Sequence, residues 1–198
     1  MFFDIIRSTL CPFNKIETFI PKVGKILDVG CGNGIFCELL IKKSMKRRVI
    51  GIDPSDHKIK LAKQKIEGVK NIQFKKSFLK DINGYFNCIS VIDVLYLFSP
   101  NEKIKLLKKA NQLLKKNGSL ILVEVSSEPR FLYNLIKLEE YFMVKTLKYT
   151  YSKTRDLFFQ PNSQYIKLLK EAGFKNIKTE NIQGISPYPK HILFIGYK

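Results

Sequence analysis

The chain has 198 residues, 45% of them hydrophobic and 12% aromatic, which is enough for one packed core and excludes a disordered chain. Its four cysteines form no Cys-x-x-Cys pair and it has only two histidines, which argues against a disulfide framework and a local zinc motif. The 35 basic and 17 acidic residues leave a net charge of +18, a balance that draws a protein toward nucleic acid, anionic lipid or anionic metabolites. Thirty of the basic residues are Lys and five are Arg, beside 24 Ile, so a Lys/Ile composition accounts for much of the charge. Readers of phosphates and bases favour the guanidinium fork, and a nucleic-acid partner is accordingly disfavoured. No run approaches the ~18 apolar residues of a membrane span. Phe2 to Phe13 is broken by Asp4 and Arg7, and it lacks the basic start and cleavage site of a signal peptide. The expectation is a soluble, unprocessed cytoplasmic chain with free thiols, folded as a single domain over 1–198.

Apolar runs alternate with helical patterns, the order that builds an α/β fold with a mostly parallel sheet and helices on both faces. Lys25 to Val29 predicts a first strand, ended by Gly30-Cys31-Gly32-Asn33-Gly34. A helix with Ile35, Phe36, Leu39 and Leu40 inward follows. Val49 to Ile52 predicts the second strand, closed by Asp53-Pro54-Ser55; Ile59, Ala62 and Ile66 then share a helical face stopped by Gly68. Asn71 to Lys75 is a weak third strand and Phe86 to Ile92 a strong fourth. Ile104, Leu107 and Leu114 mark a helix ended by Asn117-Gly118, before a fifth strand from Ser119 to Val125. Phe131, Leu135, Leu138 and Phe142 form a helical stripe where a strand is due, which predicts an insertion. Ser163 to Ala172 reads as a helix, Lys175 to Asn181 and His191 to Tyr197 as strands, and the turn-rich Gln183 to Lys190 link suits an antiparallel last pair.

The glycine-rich turn stands between a strand and a helix, where glycines let a ligand approach the backbone and a helix N-terminus offers N–H groups. Asp53 follows at the end of the next strand, where a carboxylate can hold a ribose diol. A dinucleotide fingerprint would need glycine at Ile35, so the spacing disfavours NAD. The segment Ile26-Leu27-Asp28-Val29-Gly30-Cys31-Gly32-Asn33-Gly34 resembles the first motif of class I S-adenosylmethionine (SAM)-dependent methyltransferases, and Asp53 fits their second. Leu113 to Leu120 is similar to their approach to the fifth strand, and Tyr165 to Phe174, with its Glu171-Ala172-Gly173-Phe174, to the late helix of the small-molecule branch.

The resemblance implies a Rossmann-like seven-stranded fold and SAM as cofactor, with S-adenosylhomocysteine as product and no metal. By it, Gly30, Cys31 and Gly32 run along the cofactor, Asp28 holds the methionine end, Asp53 the ribose, and Pro54 flanks the adenine. Where the family commonly has an acidic residue near the adenine amine, this chain has Ser77, beside Phe78 and Leu79. Asp93-Val94-Leu95-Tyr96 ends the fourth strand, where family members face the transferred methyl; the prolines typical of amino-methylating enzymes are absent.

Methyl transfer from a sulfonium is an in-line displacement, so positioning and water exclusion supply most of the catalysis. A base is needed only where the acceptor keeps its proton at neutral pH. His191, Glu124 and Tyr96, all at strand or loop ends of one edge, are the candidates; each also has a purely structural reading, as a hydrogen-bonded strand-start histidine, a cap and a packed aromatic. His57 reads as surface. The Phe-, Tyr- and Leu-rich stretch 129–159 is either a helix packed on the core or a lid defining an apolar acceptor pocket, with peripheral membrane contact as a further role. The expected reaction is methylation, with oxygen favoured, of a small apolar or lipid-like metabolite. The rivals are an RNA methyltransferase and a non-catalytic SAM-binding subunit.

Overall fold

Alternate residues along the central strands face opposite sides, and both sides are apolar. Leu27, Ile89, Val91, Leu120 and Leu122 belong to one buried cluster; Ile26, Cys88, Ile92, Ile121 and Val123 belong to another. A sheet buried on both faces needs helices on both. The computed structural model describes residues 11–66, 68–125, 134, 138, 157–183 and 191–198. Its strands are β1 (Gly24–Val29), β2 (Arg47–Asp53), β3 (Ile72–Lys76), β4 (Phe86–Ile92), β5 (Leu114–Val125), β6 (Lys175–Ile182) and β7 (His191–Tyr197). The described helices are α1 (Phe13–Glu17), α2 (Ile35–Lys43), α3 (Asp56–Lys65), α4 (Pro100–Leu113) and α5 (Asn162–Glu171).

The seven strands lie in the order β3-β2-β1-β4-β5-β7-β6. The first five pair in parallel, while β7 runs antiparallel to both β5 and β6. The order reverses between β1 and β4, and the crevice outside the carboxyl ends of strands at such a point is where ligands bind in open α/β sheets. Because β7 is reversed, its first residue joins that same edge: His191 pairs with Val125, the last residue of β5. Residues of α1, α2 and α3 pack in the cluster on one face, those of α4 and α5 in the cluster on the other.

Local chemistry sets the helix starts. The Ser55 side chain accepts the Lys58 N–H at α3. At α4, Glu102 accepts from both the backbone and the hydroxyl of Ser99, ahead of Pro100. Arg47, fully buried at the start of β2, donates to the carbonyls of Pro21, Ile20 and Leu40 and pairs with Glu17 at 2.7 Å. This ties the segment after α1 to α2 and the sheet.

Two expectations need correction. The inner face of α2 is Phe36, Cys37, Leu40 and Ile41; Ile35 instead lines a cavity at the sheet edge, which turns the first helical turn toward that cleft. The helix α4 ends at Leu113, before Asn117-Gly118. Leu114 already pairs with Phe86, and the register then jumps so that Cys88 pairs with Ser119. Asn117, at φ 62°, lies in the irregular stretch between these pairs. The expected insertion over 129–159 and most of the Gln183 to Lys190 link fall outside the described residues.

Candidate active site

The turn after β1 adopts backbone that a side chain resists. Gly30 and Gly32 have φ of 75° and 56°. A Cβ on Gly30 would stand 2.4 Å from a Val94 methyl, whereas one on Gly32 would meet nothing within 4 Å. Gly30 thus serves internal packing, and Gly32 faces open space. A cavity there is lined by Asp28, Gly30, Cys31, Gly32, Asn33 and Ile35, with Phe13, Phe36, Lys58 and Ile92 completing its walls.

The two carboxylates expected to hold the cofactor are both anchored. Asp28, buried in β1, accepts from the Ser90 hydroxyl at 2.7 Å and from the Cys37 thiol at 3.2 Å. Burial first, then the Cys31 contact and the Asp28 charge, push the Cys37 thiol well above the ordinary thiol range, so it remains a donor. The two bonds fix the orientation of the Asp28 carboxylate at the cavity wall. Asp53 accepts from Gly32 N–H at 3.1 Å and Ser55 N–H at 2.8 Å, which locks its orientation beside the glycine turn. Ser77 N–H donates to the Asp53 carbonyl, bringing the start of the next turn to the same place. Pro54 is half-buried and Phe78 is exposed, where a ring can stack on a ligand. The Leu79 side chain lies in the core cluster, which supports the turn from below.

The end of β4 holds the second half of the site. Asp93 has a φ of 52°, a left-handed conformation that aspartate tolerates better than most residues. Its N–H donates to the Val123 carbonyl. One carboxylate oxygen, Oδ2, stands 3.3 Å from His191 Nε2, so the two strand ends meet in an acid–imidazole pair. Glu124, by contrast, is fully enclosed and directed under the turn after Asp93. Its Oε1 accepts the N–H groups of Val94 at 3.2 Å and Leu95 at 2.8 Å. Burial, with the Asp93 charge second, pushes its carboxyl up to about 8. The Tyr165 hydroxyl reaches its other oxygen at 3.4 Å. Tyr96, also buried, stacks on Phe159 with ring centroids 4.8 Å apart.

Three features escaped sequence reasoning. Lys103 of α4 is completely buried, donates to the Phe158 carbonyl and lies over the Tyr165 ring; burial lowers its pKa to about 8. Lys58, 9% exposed, lines the cofactor-side cavity. Cys11 reaches the Asp93–His191 pair from the start of the described chain. The only local signal for the two lysines was their place among apolar helix positions, where lysine usually snorkels to solvent.

A glycine-turn cleft at the switch point, flanked by fixed acidic residues on the first two strands, defines an α/β enzyme that binds a nucleoside-bearing cofactor. A sequence model of the methyltransferase-domain family matches residues 7–179, and the chain belongs to the SAM-dependent methyltransferases. A carboxy-S-adenosyl-L-methionine synthase from Nautilia profundicola is 28% identical over 89% of this chain and 84% of its own. A SAM-dependent methyltransferase structure from Methanosarcina mazei covers 96% of this chain and 98% of its own at 20% identity, with a TM-score of 0.70. Human N-acetylserotonin methyltransferase in complex with SAM aligns over 98% of this chain at 18% identity and a TM-score of 0.74. This chain spans only 52% of that human one. SAM is therefore the cofactor and methyl transfer the class of reaction. Among the described residues no helix is long and apolar enough to cross a membrane.

Proposed function

We propose that this chain, acting as one domain, transfers the SAM methyl group to a hydroxyl of a small, apolar or lipid-like acceptor. The observation that carries the reading is the Asp93–His191 pair at 3.3 Å on the cofactor edge. An alcohol or phenol keeps its proton at neutral pH and needs a base as it attacks. With Nε2–H given to Asp93, the neutral imidazole carries its lone pair on Nδ1, so Asp93 selects the tautomer and His191 takes the proton. Asp28 and Asp53 hold the amino group and ribose, Gly30, Cys31 and Gly32 lie along the cofactor, and Pro54, Ser77 and Phe78 border the adenine. Glu124 and Tyr96 act as positioning residues: Glu124 holds the Val94–Leu95 backbone, and Tyr96 holds Phe159. The 129–159 stretch supplies the apolar wall that excludes water from the acceptor.

The test is a screen of hydroxylated aromatic and lipid-like acceptors with methyl-labelled SAM, followed by His191→Gln on the best one. The variant should bind SAM as before and lose turnover by about 100-fold or more, the usual scale of a general base. Its pH–rate profile should lose the acid limb. Normal turnover in this variant would remove the base from the mechanism.

A second reading is favoured by Lys58 and by the Nautilia relative. A buried cation in the cofactor cavity suits a cofactor that bears an additional carboxylate, which fits formation of carboxy-SAM. Mass analysis of the nucleoside product separates the two: S-adenosylhomocysteine accompanies methyl transfer, and a carboxylated sulfonium does not.

A further inference from the structure

Cys11, Asp93 and His191 come from the start of the described chain, the end of β4 and the start of β7, yet one ligand atom from each lies within 4.8 Å of the others. Cys11 and His191 are each 3% exposed. A thiol, an imidazole and a carboxylate form the borderline donor set of zinc-class ions, which take Cys, His and Asp in tetrahedral geometry. The observed 3.3 Å between His191 Nε2 and Asp93 Oδ2 is also the separation of two such ligands. Bonds of about 2.0 to 2.1 Å meeting at a tetrahedral angle span about 3.3 Å. A thiolate at about 2.3 Å from the same ion would lie about 3.5 Å from the nitrogen, so closing the third corner from within 4.8 Å takes a movement of about 1.3 Å at most.

We propose that these three side chains bind one zinc-class divalent ion, with the fourth position left to a water molecule, and that the ion occupies the place of the proton shared by the pair. On binding, the Cys11 thiol gives its proton to solvent, and the imidazole proton leaves Nε2 and is carried on Nδ1, which frees the Nε2 lone pair for the ion. The inference deepens the reading of Asp93 and His191 as the catalytic acid–imidazole pair, because a neutral imidazole that holds the ion on Nε2 carries its proton on Nδ1 and so cannot take the acceptor's proton there. Zinc is then an inhibitor of transfer rather than its cofactor. No short Cys/His spacing encodes the cluster; the reversal of β7 and the path of the chain before α1 assemble it.

The test is titration of the chelator-treated full chain with Zn2+ by calorimetry and with Co2+ by absorbance, without SAM or acceptor. The expected result is one equivalent per chain and a thiolate-to-cobalt charge-transfer band. Cys11→Ser should abolish the band, and Cys11→Ser and His191→Gln should each weaken zinc binding about tenfold or more. Circular dichroism on the same samples checks folding, and cobalt quenching by added Zn2+ on the unaltered chain needs no variant. Absence of the band, or its persistence in folded Cys11→Ser, overturns the site. Cobalt binding in a chain that methylates no acceptor would leave the ion site standing and defeat the base reading; methylation without any band would do the reverse.

Discussion

Replacing Glu124 separates its role as a backbone acceptor from its charge. Glu124→Leu fills similar volume but leaves the buried N–H groups of Val94 and Leu95 without their acceptor. Each orphaned donor costs about 1 to 3 kcal/mol, so the loss should be about 2 to 6 kcal/mol. Glu124→Gln keeps an acceptor oxygen and should cost about 1 kcal/mol or less near neutral pH. The pH dependence has a definite sign. The folded pKa is raised from 4.5 to about 8, so the native state binds the proton more tightly. The stability this contributes is complete below about 4.5 and is lost as pH rises through about 8. The glutamine variant lacks that loss and should gain on the parent protein across the interval. Urea unfolding from pH 5 to 8.5 measures both effects. A leucine variant within about 0.5 kcal/mol of the parent, or a Gln-minus-parent difference independent of pH, would refute the placement of this carboxyl beneath the turn.

Asp53→Ala should weaken SAM binding by about 1.5 to 3 kcal/mol for each charge-assisted hydrogen bond to the ribose, measured by calorimetry on protein shown to be folded. Gly32→Val should abolish SAM binding with little change in unfolding temperature beyond the backbone cost of its φ, since its Cβ meets only open space. Arg47→Met should cost about 3 to 5 kcal/mol by denaturant unfolding, because it removes one of the two cations paired with the buried Glu17 and the donors to the carbonyls of Ile20, Pro21 and Leu40. Burial alone would raise the Glu17 carboxyl, but hydrogen bonds from Lys22 and Arg47 hold it below 4.5; its contribution is therefore present above pH 4.5 and lost as pH falls through the lower folded value. Acid titration of the Glu17→Gln variant should show a shallower decline in that range.

Features encoded by neighbouring residues were legible before the fold was known. β4 and β7 have the bounds their apolar runs predict, and the glycine turn and Asp53 meet because each lies at the end of its own strand. The start of β5 was hidden because Leu114 continues the helical apolar spacing while its burial is decided by Phe86 of another strand. The same limit applies to the site. Asp93 and His191 were each visible as strand-end residues, but their contact depends on β7 running backwards beside β5. Glu124 was marked by its apolar strand; only the fold shows that it grips backbone. Lys103 and Arg47 carry residue types that ordinarily face water, and their burial follows from carbonyls supplied by distant segments.

The most direct test of the account is to incubate the protein with SAM carrying an isotopic methyl and a fractionated cell extract, then follow the label by mass spectrometry. The account predicts S-adenosylhomocysteine together with one low-molecular-weight product bearing the intact labelled methyl on oxygen, formed in amounts equal to the homocysteine product and strongly reduced by His191→Gln. Label found in RNA, on carbon or nitrogen, or retained on a carboxylated sulfonium would contradict it.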